Sequence, residues 1–286
     1  RPESMTTAQP LGTERLGDRP GAWVDLGLTL PIFLVYHLTV VFLGVQNATD
    51  VVTGALLSLS EGDKTKYLLA TLAIGVIFAG TFALLGRGQA FRPRKFLQIM
   101  IEGTVYAFVM AAAANYVVGS ILGRLPQPLT DAAHGVLSEA FRGGLVPGSE
   151  PSIASGIREE GRFVGFVMSL GAGFYEELTF RVLLFGLGAK LLVWLFGKQR
   201  VDLSGTAAAR GFSLRSLLVM AGWGVVCALI FSGVHYVGPM ADDFRLASFL
   251  FRAVLGLALT LIYVTRGFAA AVWTHAIYDV WVLVLR

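Results

Sequence analysis

The chain carries one cysteine, Cys227, in 286 residues. That excludes an intramolecular disulfide and any cysteine metal cluster, and the apolar stretch around Cys227 marks it as a packing residue. Charge is scarce as well. Asp, Glu, Lys and Arg make up 15% of the residues, against about 25% in a soluble domain. GxGxxG, a phosphate-loop Gly-Lys-Ser/Thr, HExxH and GxSxG are all missing. The dinucleotide, nucleotide, zincin and serine-hydrolase classes therefore have no motif to rest on.

Apolar residues are abundant, at 55%. Long uncharged runs reach or exceed the roughly 20 residues that cross a bilayer. The spans are expected at about 22–46, 67–86, 96–123, 161–197, 216–237, 246–264 and 268–285. The fold class is accordingly an all-α polytopic transmembrane bundle of about seven to eight helices. The fourth run, 37 residues long, reads as one tilted helix or as a helix with a re-entrant piece near Gly186 and Gly188. Residues 1–21, polar and Gly/Pro-rich, are expected to be a mobile segment, with Met5 the expected natural start, and 22–286 a single transmembrane domain. The first apolar run is too long for a signal-peptide core and is read as retained.

The pI near 9.3 comes from short loops between spans, which marks membrane orientation and excludes a nucleic-acid face. With the N-terminus inside, the inner segments hold 12 Lys and Arg and the outer loops 6. This favours a cytoplasmic N-terminus and seven crossings. Within loop 124–160, Leu129, Ala133, Val136, Leu137, Ala140 and Phe141 recur at helical spacing. They suggest an amphipathic helix on the membrane surface, or a plain connector.

The chemistry lies in three motifs on three predicted spans. Glu176-Glu177-x-x-x-Arg181 sits in the fourth. Ionisable groups at bilayer depth are costly and usually line a functional cavity. Arg181 lies one turn beyond Glu177, so these two can pair, while Glu176 points about 100° away and stays available as a general base. Phe231-x-x-x-His235 places a ring and an imidazole on one face of the fifth span, and His275-x-x-x-Asp279 does the same in the last. Asp279 can accept from His275 and fix its tautomer. One carboxylate and two histidines from three helices can activate a water and stabilise an oxyanion.

The order EExxxR, FxxxH, HxxxN/D resembles the CPBP (ABI) family of intramembrane glutamic proteases, which includes the type II CAAX prenyl endopeptidases. The stretch from Gly267 through His275 to Asp279 has the character of the family's last motif. The resemblance covers about 161–285, which would be the catalytic core; residues 1–160 are similar only as apolar spans. It implies Glu176 as the base on water, assisted by His235, with Glu177 and Arg181 shaping the site; Phe231, one turn before His235, is read as walling it. His275 and Asp279 would form the oxyanion hole. It also implies no cofactor and no metal, a membrane-associated protein or peptide as substrate, and a bacterial inner (plasma) membrane setting. Where the family often has Asn, this chain has Asp279. An ionised Asp cannot donate to an oxyanion, so Asp279 must act as an acid or by orienting His275.

Blander roles stand beside these. Glu177 and Arg181 can be a structural ion pair, Phe231 a packing ring, and either histidine a helix–helix hydrogen bond. Glu102 and Arg252 could pair with each other or with the site, whereas His37 and His134 fit no motif. Rival functions are a metalloenzyme using Glu176, His235 and His275, a non-catalytic scaffold or immunity-type protein of the same fold, and a proton-coupled carrier. The carrier is disfavoured by the lack of internal repeats.

Overall fold

A bilayer offers no partner for free backbone N–H and C=O groups, so a segment that crosses it alone must be helical. Among the described residues, seven helices are long and apolar enough to do so, and the chain is an integral membrane protein. The computed structural model describes residues 20–89, 92–127, 131, 161–197, 213–238 and 241–285, which contain helices and no strand. We label the long helices α1 (Ala22–Leu43), α3 (Lys64–Leu85), α4 (Pro93–Leu122), α5 (Arg162–Gly197), α6 (Leu214–Tyr236), α7 (Leu246–Arg266) and α8 (Phe268–Leu285). A short helix, α2 (Val51–Leu59), lies between α1 and α3.

The helix ends are written in the sequence. Asp50 caps α2 through Val52 and Thr53, and Asp63 caps α3 through Thr65 and Lys66. The two backbone N–H groups at Asp63 hold its exposed carboxyl below the ordinary range. Gly267, at φ 93°, breaks the chain between α7 and α8. The first turn of α8 is capped from across the bundle, where Asp25 of α1 accepts from the Ala269 N–H at 3.0 Å.

α5 is one continuous helix of 36 residues, so among the described residues the long apolar helices number seven. Gly186 and Gly188 do not break it. At Gly188 a Cβ would come 2.4 Å from Trp223 Nε1, and that indole donates to the Leu184 carbonyl at 3.2 Å. The glycine is there for α6 to pack against. Just after Glu176 the backbone widens into π-helical turns, Glu177–Leu187, a distortion often found at functional sites.

Small residues let α5 meet α8. A Cβ at Gly165 would lie 2.8 Å from the Leu283 carbonyl oxygen, and one at Gly173 2.8 Å from the Ala276 Cβ. Such contacts substitute for a hydrophobic driving force, which a bilayer does not supply between helices.

One expectation changes. Glu102 and Arg252 do not pair with each other: Glu102 holds Arg266 of α7 at 2.6 Å, and Arg252 holds Asp242. Arg266 and Asp242 flank spans, where the sequence pattern reads as loop charge. His37, which fits no motif, joins a buried group with Tyr67 at 2.8 Å and with Tyr175, tying α1, α3 and α5 together. The amphipathic helix expected within 124–160 and the mobile segment expected at 1–21 fall outside the described residues, save 20–21, 124–127 and 131; His134 also lies outside them.

Candidate active site

The site is built where α5, α6 and α8 meet. Glu176 is the last residue before the π-helical turns of α5, and Glu177 is the first within them. The two carboxylates diverge, as their helical spacing requires. Glu177 turns into the protein and its side chain is 0% exposed, with Arg181 beside it at 1%. Glu176 turns to a partly open face, at 12%, shared with His235 at 23%.

The buried layer is a charge cluster. Arg181 Nη1 stands 2.9 Å from Glu177 Oε1, one helical turn away. The guanidinium also lies over the Phe231 ring, 4.2 Å from its centre, a cation–π contact strengthened by the dry setting. Glu177 Oε1 meets a second group, His275 Nδ1, at 2.7 Å. A carboxylate can only accept, so His275 donates from Nδ1 and its Nε2 faces the other way.

The open layer is where that Nε2 points. It lies 3.9 Å from Glu176 Oε2 and 3.6 Å from Asp279 Oδ2. His235 Nδ1 sits 2.8 Å from the Phe231 carbonyl and donates to it, because a carbonyl oxygen only accepts. Its Nε2 is thereby aimed at Glu176 Oε2, again at 3.9 Å. Both separations exceed a direct hydrogen bond and suit an intervening oxygen. Phe231 packs edge-on against Phe180, His235 and His275 and forms the wall between the two histidines.

All seven residues singled out by sequence are brought together: Glu176, Glu177, Arg181, Phe231, His235, His275 and Asp279. Span boundaries alone lead to the expectation that His235 lies near one end of its helix, away from the level of Glu176 and His275. In the structure its Nε2 lies 3.9 Å from Glu176 Oε2, carried by the tight turn Val234–Tyr236 that ends α6. One partnership differs from expectation. His275 is oriented through Nδ1 by Glu177, while Asp279 stands beside Nε2, on the same side as Glu176.

Sequence reasoning missed Asn47. It follows α1 and donates Nδ2 to Glu176 Oε1 at 3.2 Å. A polar residue just past an apolar run reads as a surface loop. The one available signal was Asn-Ala-Thr-Asp, two turn-forming polar residues framing a helix cap. Tyr175 points away from the cluster, towards His37.

Among the described residues, no group of three or more His, Cys, Asp or Glu is arranged to hold a metal ion. Residues 159–281 match a family model described as Type II CAAX prenyl endopeptidase Rce1-like. No curated protein and no solved structure matches the chain.

Proposed function

Through residues 159–281 the chain belongs to the CAAX-protease-like family, and from that premise we propose that it is a membrane-embedded endopeptidase in which Glu176 activates a water. At the family level it is a CAAX-type intramembrane endopeptidase acting on a protein substrate. The observation that carries the finer reading is the convergence on one carboxylate oxygen. Glu176 Oε2 has the Nε2 atoms of His235 and His275 at 3.9 Å each.

A water held among these three groups gives a proton to Glu176 and attacks the scissile carbonyl. His235, with its Nδ1 proton tied to the Phe231 carbonyl, offers an Nε2 lone pair that helps orient the water. His275, gripped at Nδ1 by Glu177, offers Nε2–H to the oxyanion in its protonated form. Asp279, 3.6 Å from that nitrogen, adds a donor as an acid or holds the imidazole as a carboxylate. The proton taken by Glu176 then passes to the leaving amine, so the base is regenerated and no covalent intermediate is needed. Glu177 and Arg181 serve as the dry foundation. The setting is the inner membrane of a bacterium, with the N-terminus on the cytoplasmic side.

The test uses the full chain in proteoliposomes. The probes are an internally quenched peptide ending in a prenylated CAAX sequence, and the same peptide without the prenyl group. Wild type should cleave one of them, and Glu176→Gln, which keeps the shape and removes the base, should cleave neither while melting normally. Activity of Glu176→Gln within about twofold of wild type would defeat the glutamate-base mechanism. In membranes, Glu176→Ala should cause one precursor protein to accumulate. A wild type that cleaves neither peptide, with no such precursor, would favour the non-catalytic scaffold.

A further inference from the structure

The chain contains two asparagines, Asn47 and Asn115. Asn115 donates its amide to the Ala111 carbonyl of its own helix at 2.9 Å. Asn47 instead reaches across the bundle. It is buried, and its Nδ2 donates to Glu176 Oε1 at 3.2 Å.

The orientation of this amide is determined by its neighbours. Asn47 Oδ1 accepts from the Thr49 backbone N–H at 2.9 Å and from the Thr49 hydroxyl at 2.6 Å. Two donors on one end place the oxygen there and the NH2 towards Glu176. The Asn47 backbone is held too. Its N–H donates to the Tyr36 hydroxyl at 3.0 Å, and that hydroxyl donates to Asp50 Oδ2 at 2.9 Å. Asp50 Oδ1 in turn caps α2 through the Val52 and Thr53 N–H groups at 2.9 Å. The Tyr36 ring lies against α5 at Gly171, where a Cβ would come within 2.3 Å of it. The turn between α1 and α2 is thus held at Asn47, Thr49 and Asp50 where it touches Glu176.

We propose that Asn47 is a positioning residue for Glu176: it takes Oε1 and so turns Oε2 towards the two histidines. The proposal rests on the reading of Glu176 as the base. The terminal torsion of a glutamate is broad and nearly two-fold, so an unrestrained carboxylate samples many orientations. With Oε1 tethered at 3.2 Å by an amide that cannot itself swivel, Oε2 keeps its equal 3.9 Å distance to both Nε2 atoms. Asn47 acts on the oxygen turned away from the histidines and works through Glu176.

The experiment compares Asn47→Ala, Asn47→Asp and Thr49→Val with wild type, using whichever quenched peptide wild type cleaves, with Glu176→Gln in parallel. Loss of positioning lowers turnover and leaves substrate binding alone, so Asn47→Ala should reduce kcat by about ten- to a hundredfold with KM within about twofold. Asn47→Asp has the same shape but no amide donor, and it should lose at least as much. A residue needed only for packing would lower stability without this split between kcat and KM. Thr49→Val keeps the backbone donor and loses the hydroxyl, so its kcat should fall by a smaller factor. This variant also carries the test should either Asn47 variant fail to fold. Wild-type kcat in Asn47→Asp or Asn47→Ala, or in Thr49→Val where neither Asn47 variant folds, with Glu176→Gln inactive, overturns the role of Asn47 alone. Full activity in Glu176→Gln overturns the base assignment, and the positioning role falls with it.

Discussion

His275 Nδ1 lies 2.7 Å from Glu177 Oε1, and the same oxygen receives Arg181 at 2.9 Å. One buried carboxylate therefore both neutralises a buried guanidinium and selects the tautomer of a histidine. Adjacent glutamates so acquire unlike tasks from the geometry of a helix alone. Glu177 faces the packed interior and Glu176 the open layer.

Removing Glu177 should damage fold and function together. Glu177→Ala removes the ion-pair partner of buried Arg181, and breaking such a pair typically costs about 3–5 kcal/mol. It also releases His275. Thermal unfolding in detergent should show a clear drop in Tm, and peptide cleavage should fall at least as far as expected from loss of one oriented catalytic group. An unchanged Tm would show that the pair contributes nothing to stability.

Helix separation is the subject of the second test. At Gly173 a Cβ would sit 2.8 Å from the Ala276 Cβ and 2.9 Å from the Ala276 N. The obstacle is helix backbone, which cannot swing aside. Gly173→Ala should push α5 from α8, at an overpacking cost of about 1–3 kcal/mol, and move the Glu176–Glu177 pair away from His275. Cleavage should drop more than tenfold. Gly80→Ala on α3, where nothing lies within 4 Å, is the control and should behave as wild type. Equal activity in both variants would show that the α5–α8 contact does not set the site.

Much of this architecture was legible because a bilayer simplifies the code. Apolar length alone locates α1, α3 and α8 to within a few residues. α2 was not legible: nine residues fall far below a span, and its cap, Asp50, looks like any loop acid. The candidate cluster was legible because ionisable residues stand out against apolar helices and their i,i+4 spacing fixes shared faces. Cross-bundle partners were not. Nothing in local spacing tells that Glu102 meets Arg266, that Asp25 caps α8, or that Asn47 reaches Glu176, since each contact joins residues more than a hundred positions apart. His275 shows the same limit in miniature. The near partner in sequence, Asp279, stands at 3.6 Å, while the orienting partner is Glu177, from another helix.

Hydrolysis should proceed without a transition metal. The proposed water is held by Glu176 and two imidazoles whose Nε2 atoms stand 3.9 Å away, and proton transfer to a carboxylate needs no Lewis acid. Peptide cleavage by protein dialysed against a strong chelator should match that of untreated protein. Abolished cleavage, restored by added zinc, would promote the metalloenzyme reading instead.

Asp279 offers the last test, because its position allows two jobs with different chemical demands. Its Oδ2 is 3.6 Å from His275 Nε2, near enough to hold the imidazole as a carboxylate or to share its task of donating to an oxyanion as an acid. Asparagine keeps the shape and always carries an N–H donor, and its carbonyl oxygen still accepts from His275, though more weakly than a carboxylate. Asp279→Asn should therefore retain substantial activity. Asp279→Ala removes both possibilities and should lose about two orders of magnitude in kcat, the scale for deleting one oxyanion donor. The Asn variant also separates the two jobs. An acid stops donating when it ionises, so wild-type cleavage should decline on the alkaline side of Asp279 titration, and Asp279→Asn should lack that decline. If both variants share the wild-type alkaline profile and Asn is much weaker than wild type, the carboxylate acts by holding His275. Wild-type activity in Asp279→Ala would remove Asp279 from the site and leave His275, oriented by Glu177, as the donor.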